Sequence, residues 1–279
     1  MALIANTEMA PTKMDLIVSM VQKELKFQAK LAQFFYDASQ FAVKGNKSVS
    51  FPKLASFVAS TRASGVAGVE QVIASTAEKL DLNQNKQVLW VIDPSDEIQS
   101  TLNWELETVK RASSAHARAF DTYLKTIALA SAELTPTAGV ISRNIVLEMI
   151  EYLGVNEANM DQVNLFIGPD SKTEMLKISE FTNAQIYGGA IIPNGQIGSV
   201  YGVPVVVHNG LASGEFFMAD KDGLAYAFQK LPAYDEQKAI EYGAGCMKRT
   251  IDQLFGAKSL QIDEGTASSG KSALIIRNS

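Results

Sequence analysis

The sequence predicts an α+β fold, and three observations carry that expectation. Apolar residues at helical spacing begin at Asp93-Pro94 and run on without glycine or proline until Pro136. Strand-like runs precede this stretch. After Pro136, short helical and strand-like segments alternate, punctuated by glycine.

In chain order, 15–43 reads as an amphipathic helix. Leu16, Met20, Phe27, Leu31, Phe34, Phe35, Ala38 and Phe41 fall on one stripe, with Gly45 placed to end it. "KSVSFP" alternates like a strand and stops at Pro52, and "KQVLWVID" gives a second strand. The Ala-, Ser- and Gly-rich residues between them hold few large apolar side chains, so the excursion predicts an arm that lies on another surface. Asp93 then supplies an N-cap, Pro94 the first helical position, and Asp96 and Glu97 the acidic first turn. Ile98, Leu102, Leu106, Val109, Phe120, Leu124, Ile127 and Leu134 continue the stripe. About 39 residues give about 58 Å of helix. A globule of this length has a diameter of about 50 Å, so the spine predicts a flat or elongated subunit. Beyond it, 137–153 predicts a helix closed by Gly154, "VNLFIG" a buried strand, and 169–178 a short helix opened by Pro169. "EFFMADKDGLAYAFQ" predicts a β-hairpin turning at Asp220 to Gly223, and 237–262 holds weaker strand or helix signal. The Ser- and Gly-rich tail from Asp263 predicts a flexible end.

Composition narrows the function classes. The 279 residues are 47% hydrophobic and 20% charged, with a net charge of −5. That is ordinary for a globular chain and lacks the basic excess of a duplex-DNA binder. No apolar run approaches the roughly 20 residues of a membrane span, and the N-terminus lacks the pattern of a signal peptide. Cys246 is the single cysteine, which excludes an intrachain disulfide and fits a reducing cytosol.

No catalytic constellation emerges. "GTASSGKS", 265–272, fits the P-loop pattern by letters. A P-loop needs a preceding buried strand and a following helix N-terminus, and only seven residues follow Ser272, so a passive tail is the more economical reading. His116 falls within the long helix and His208 at a strand end; two histidines and one cysteine make a zinc site improbable. Cys246 reads as a buried inert thiol, and Asp220 and Asp222 as turn residues. "NGQIGSVYGVPVVVHN", 194–209, resembles a phosphate cradle at first sight. Its glycines, Gly195, Gly198 and Gly202, have the wrong spacing and lead into a strand, so they predict shaped backbone instead.

The order of parts carries a resemblance. "GNKSVSFP", a weakly patterned loop, "KQVLWVIDPSDEIQS", a long helix ending "YLKTIALASAEL", "VNLFIGPDSKTEMLK", "YGVPVVVHN", "EFFMADKDGLAYAFQK" and "LFGAKSLQ" follow one another. Over 15–262 the chain resembles the major capsid proteins of tailed bacteriophages, which share the HK97 fold. The resemblance implies an N-terminal arm (1–44), an extended loop (45–92), a peripheral domain with its spine helix (93–135), an axial domain (136–232) and a return to the peripheral domain (233–264). A flexible C-terminal tail (265–279) follows. It implies a structural, non-enzymatic protein without cofactors or metals. Copies would assemble as pentamers and hexamers into an icosahedral virion shell around double-stranded DNA, made in the host cytoplasm, with portal, scaffolding and decoration proteins as further partners. DNA contact would be weak and non-specific, in keeping with the negative net charge. Candidate subunit-interface residues are Phe51, Pro52, Arg62, Tyr187, Asn194, Gly195, Gly198, Tyr201 and Gly202. Lys47 and Lys53 lie where some members cross-link, without an identifiable carboxylate to assist. An encapsulin-type compartment shares the fold and is the nearest rival; a P-loop nucleotide-binding protein is the more distant one.

Overall fold

The computed structural model describes residues 29–54, 59–62, 64–68, 70, 75–94, 104–135, 137, 139–156, 158–178, 196–243, 245–262 and 272–278. The chain divides into two compact units, one of Met1–Lys47, Asp81–Thr126 and Tyr226–Ala257, the other of Ser48–Leu80, Ile127–Ala225 and Lys258–Ser279. No helix among the described residues is long and apolar enough to cross a membrane.

The first unit is a sheet backed by a helix. Its strands are β1 (Tyr36–Asp37), β4 (Gln84–Ile92), β10 (Leu224–Lys238) and β11 (Met247–Ser259), in the order β1-β10-β11-β4. β11 runs antiparallel to β4, from Met247↔Ile92 to Phe255↔Gln84. Along β11, Arg249, Ile251, Gln253 and Phe255 are buried while Lys248, Thr250, Asp252 and Leu254 are only partly so, the period of a sheet with one covered face. Helix α1 (Trp104–Ser131) covers it. Val109 and Ala112 pack on Tyr234, Ile251, Val88 and Trp90. The Phe120 ring lies 5.4, 4.7 and 5.0 Å from those of Tyr226, Phe228 and Phe255.

The predicted spine is confirmed through its middle. Ser113-Ser114 does not break it; the Ser113 hydroxyl donates to the Val109 carbonyl at 2.7 Å. The helix stops at Ser131, short of the expected Leu134. Glu133–Leu134 instead form β5, drawn into a sheet by parallel pairing with Ile276 and Arg277. Pro94 is helical, and Asp96 and Glu97 lie outside the described residues.

The expected arm helix does not extend through its described part. Residues 29–43 hold two 3-10 turns, Ala32–Phe34 and Ser39–Phe41, on either side of β1. Leu31, Phe35 and Ala38 are buried at the predicted spacing, but turns and extended residues deliver them. Tertiary hydrogen bonds outweigh helix propensity here. The Asp121 carboxylate accepts from the Lys30 and Leu31 amides at 3.0 and 3.3 Å, and the Ala38 amide donates to the Tyr226 carbonyl.

His116 faces inward from α1, with Nε2 3.0 Å from the Ile251 carbonyl and no partner for Nδ1. Burial lowers its pKa below the ordinary 6.5; the Ile251 hydrogen bond and nearby Asp252 oppose the shift without reversing it. The folded chain therefore binds a proton less readily than the unfolded chain. The stability His116 contributes is complete above pH 6.5 and is lost as pH falls from there through the folded value. Urea unfolding at pH about 7 and about 5 checks this. The wild-type midpoint is expected to fall more on acidification than that of His116→Gln, which keeps a donor for Ile251 and cannot titrate. Equal falls would sink the assignment.

The second unit centres on a six-stranded sheet, β5-β14-β9-β6-β8-β7. Its further strands are β6 (Asn164–Ile167), β7 (Gln196–Val200), β8 (Val203–Val207), β9 (Phe216–Ala219) and β14 (Ile275–Arg277). β6 and β8 run parallel, as do β5 and β14, and the remaining pairs are antiparallel. Helix α2 (Arg143–Val155) lays Ile145, Val146, Met149 and Leu153 in one core with Leu165, Ile167, Val205, Phe216, Met218 and Ile276. α2 starts later than predicted because Ser142, in extended conformation, caps it, its hydroxyl accepting from the Ile145 amide at 3.4 Å. Gly154 lies inside the helix rather than closing it. Helix α3 (Pro169–Lys177) opens on its proline as expected. Two small ribbons complete the unit, β2 (Ser48–Leu54) with β3 (Ser75–Asp81) and β12 (Gln261–Ile262) with β13 (Ser272–Ala273).

Two predictions fail here. Residues 215–229 are not a hairpin: β9 pairs with β14 and β6, whereas β10 joins the other sheet. Lys221–Gly223 form a 3-10 turn capped by Asp220. A Cβ on Gly223 would stand 3.1 Å from Leu274 and Ile275, so the crossover is moulded against the C-terminal strand. That strand is the second failure. Residues 275–277 of the supposed flexible tail are β14, between β5 and β9, with Leu274, Ile275 and Ile276 buried.

Candidate assembly surfaces

The predicted interface residues fall into three groups. Phe51 is half-buried and Pro52 exposed on β2, a ribbon strand that tolerates proline because it has an edge. Arg62 is exposed, and its Nε donates to the Val66 carbonyl across a turn whose Gly65 has φ 80°. Tyr187, Asn194 and Gly195 lie outside the described residues.

Gly198, Tyr201 and Gly202 come together on the β7–β8 hairpin. Tyr201 (φ 50°) and Gly202 (φ 85°) form its two-residue turn. Positive φ at both positions matches a type I′ turn, whose twist suits the flanking strands. Gly198 (φ 51°) sits where the register shifts between Gln196 and Ser199, the left-handed residue of a bulge. Pro204 pairs with Ser199 beside that shift, which lets a strand absorb a residue without an amide hydrogen. The glycines thus shape backbone, as their spacing predicts. Tyr201 packs its ring against the α2 core.

Sequence reasoning missed a pair of strongly exposed apolar side chains on one turn. Ile240 and Tyr242, 81% and 63% exposed, cap the turn between β10 and β11. Below them Ala239 and Cys246 are buried and joined by an amide–carbonyl bond of 2.9 Å, so the tip projects from a fixed base. Gly243 and Gly245, at φ 140° and 92°, let the chain reverse. The signal was present in "AIEYGAGC": two large apolar residues in a glycine turn, where polar residues are the rule. On the uncovered face of the first unit's sheet, Gln87, Leu89, Lys230, Asp235, Lys248 and Asp252 line a shallow hollow of about 500 Å³. Lys230 and Asp252 pair across it at 2.5 Å.

The residues with chemical potential are otherwise occupied. The His208 Nδ1 accepts from the Gly210 amide at 3.2 Å, fixing a turn. Asp220 is buried and accepts from the Asn159 amide at 3.0 Å. Burial, aided by Asp93, pushes the Cys246 thiol up. Among the described residues no group of three or more His, Cys, Asp and Glu is placed to hold a metal ion. Residues 265–271 lie outside the described residues, and Ser272 starts a strand where a P-loop requires a helix.

No protein-family model and no curated protein matches the sequence. Solved structures do. A structure from Mycobacterium phage Che8 superposes with a TM-score of 0.70 at 18% identity, over 88% of this chain and 89% of that one. The capsid of cyanophage P-SCSP1u gives 0.68 at 12% identity, over 88% and 86%. The capsid of the native GTA particle gives 0.64 at 12% identity, over 90% and 89%. The chain has a phage-capsid fold. The capsid fold extends over nearly the whole chain, so both units belong to it, and a fold-level likeness at these identities leaves the surfaces to be argued from this chain's own residues.

Proposed function

We propose that the chain is the major capsid protein of a tailed bacteriophage, a structural subunit that self-assembles into a DNA-containing head. The observation that carries this is the superposition on capsid subunits over about nine-tenths of each chain. In the HK97-type arrangement, the unit holding α1 corresponds to the peripheral domain and the six-stranded sheet to the axial domain. The β2–β3 ribbon is the extended loop, with Phe51, Pro52 and Arg62 meeting a neighbouring copy. The β7–β8 hairpin, with Gly198, Tyr201 and Gly202, belongs to the axial domain whose loops meet around five- and six-fold axes, and the virion is the site of action. Portal, scaffolding and decoration proteins are partners of the assembled shell.

The Ile240–Tyr242 tip extends this reading to a contact between copies. Apolar and aromatic anchors dominate interfaces, and truncating one typically costs about 2 kcal/mol or more. Negative-stain imaging of the purified full-length chain is expected to show closed shells containing nucleic acid. The double variant Ile240→Asp/Tyr242→Ser is expected to melt like wild type and to remain as small oligomers. Shells filled with a protein cargo in place of nucleic acid would favour the encapsulin reading. Normal shells from the double variant would remove the tip from the interface.

A further inference from the structure

We propose that the open face of α1 is a phosphate-contacting surface for duplex DNA, carried by Arg111, Arg118 and Lys125. This rests on the capsid reading and adds to it the face that meets the nucleic acid. The three cations are spaced by seven residues along the described helix. A straight helix drifts about 20° per seven residues, so they share an arc of about 40°, and they stand about 10.5 Å apart along the axis. Arg111 and Arg118 are exposed and Lys125 is half-buried. Ser114, Ala115 and Thr122 lie between them on the same side and do not hold a rigid rod away.

The acids of the described helix lie in its first turn or are buried. Glu105 and Glu107 stand at its N-terminal end, and Glu107, four residues before Arg111, pairs with Lys110 at 3.8 Å. Asp121 is buried and accepts from the amides of Lys30 and Leu31. Among the described residues neither Arg111 nor Arg118 makes an ion pair.

The absence of an anchor on this arc decides between a protein and a nucleic-acid partner. Protein interfaces concentrate aromatic and large apolar residues at their centre. Here the positions between the cations are serine, alanine and threonine. Phosphate recognition needs no such anchor, because cations exchange condensed counterions for phosphate oxygens irrespective of sequence. Three contacts on a chain of net charge −5 make a weak site in one copy. Repetition over a shell makes it effective without gripping any one segment.

The test uses freshly purified full-length chain, before shells form, and a short random-sequence DNA duplex followed by fluorescence anisotropy. Three phosphate contacts predict a slope of about −2.7 in log affinity against log salt, or a loss of about 40-fold from about 50 to 200 mM. The triple variant Arg111→Gln/Arg118→Gln/Lys125→Gln is expected to lose that slope with unchanged thermal melting. Arg111→Gln/Arg118→Gln alone should lose about two-thirds of it. The control Lys172→Gln/Lys221→Gln, on other elements, should leave it in place. A wild-type slope in both stripe variants overturns the proposal. Binding of polyglutamate with no binding of duplex also overturns it, assigning the stripe to an acidic protein. Shell formation by the same samples is scored by imaging. Shells that form without the duplex slope retain the capsid reading and remove only this inference.

Discussion

A chain stopped after Ile262 is expected to lose the folded six-stranded sheet, not merely a loose end. Truncation removes β14 from between β5 and β9, and with it the buried Leu274, Ile275 and Ile276. Fully burying each such side chain is worth about 1.5–3 kcal/mol. Together that approaches the total stability of a typical domain, about 5–15 kcal/mol. The loss also exposes β9 along its length and orphans the Thr135 amide, which donates to the Arg277 carbonyl at 2.9 Å. Amide hydrogen exchange on β6 and β9 measures the effect in the unit concerned, without assuming that both units unfold together. Protection there should collapse in the truncated chain, while β4 and β11 in the other unit report separately. The point variant Ile276→Ala should keep the fold and cost about 2–5 kcal/mol. Retained protection of β9 after truncation would show that β14 is an accessory strand.

That strand also marks where sequence reading ended. "ALII" is a short apolar run with β-branched residues, and by itself it is a legible strand. It follows the Ser- and Gly-rich 263–271, and a local window assigns the whole end to that composition. Strand partners are non-local, and no local window shows them. The same limit explains the mistaken hairpin, where "DKDG" has hairpin chemistry but β9 and β10 find partners in different sheets. Helix α1 was legible because its signal is local: a 3.6-residue stripe long enough to average out single exceptions. The arm was not, because Leu31, Phe35 and Ala38 keep helical spacing while Asp121 and Tyr226 bind their backbone in other conformations. The surfaces were harder still. Gly198 and Gly202 were legible as shaped backbone, but the exposure of Ile240 and Tyr242 emerges only once the chain is folded.

One substitution made at two glycines should shift stability in opposite directions. Gly256 lies in β11, pressed against the chain leaving β3. A Cβ there would overlap the Asp81 carbonyl oxygen and stand 2.9 Å from Asp81 C and 3.1 Å from Leu82 Cα. These are backbone atoms and cannot swing aside. They cannot readily retreat either, because the Leu82 amide donates to the Lys47 carbonyl at 2.9 Å and Leu80 and Leu82 are buried. Overpacking a tight core typically costs about 1–3 kcal/mol, and Gly256→Ala is expected at or above the upper end because the obstruction is main chain. Gly154, inside α2 and exposed, has nothing within 4 Å of its added Cβ. Alanine there gains helix propensity and reduces unfolded-chain entropy, so Gly154→Ala should stabilise by about 0.5–1 kcal/mol. Urea midpoints of the two variants against wild type decide the matter, with hydrogen exchange assigning each change to its unit. A Gly256→Ala chain as stable as wild type would mean that the Asp81–Leu82 backbone yields to β11, and that the close approach does not fix the path of the chain between β3 and β4.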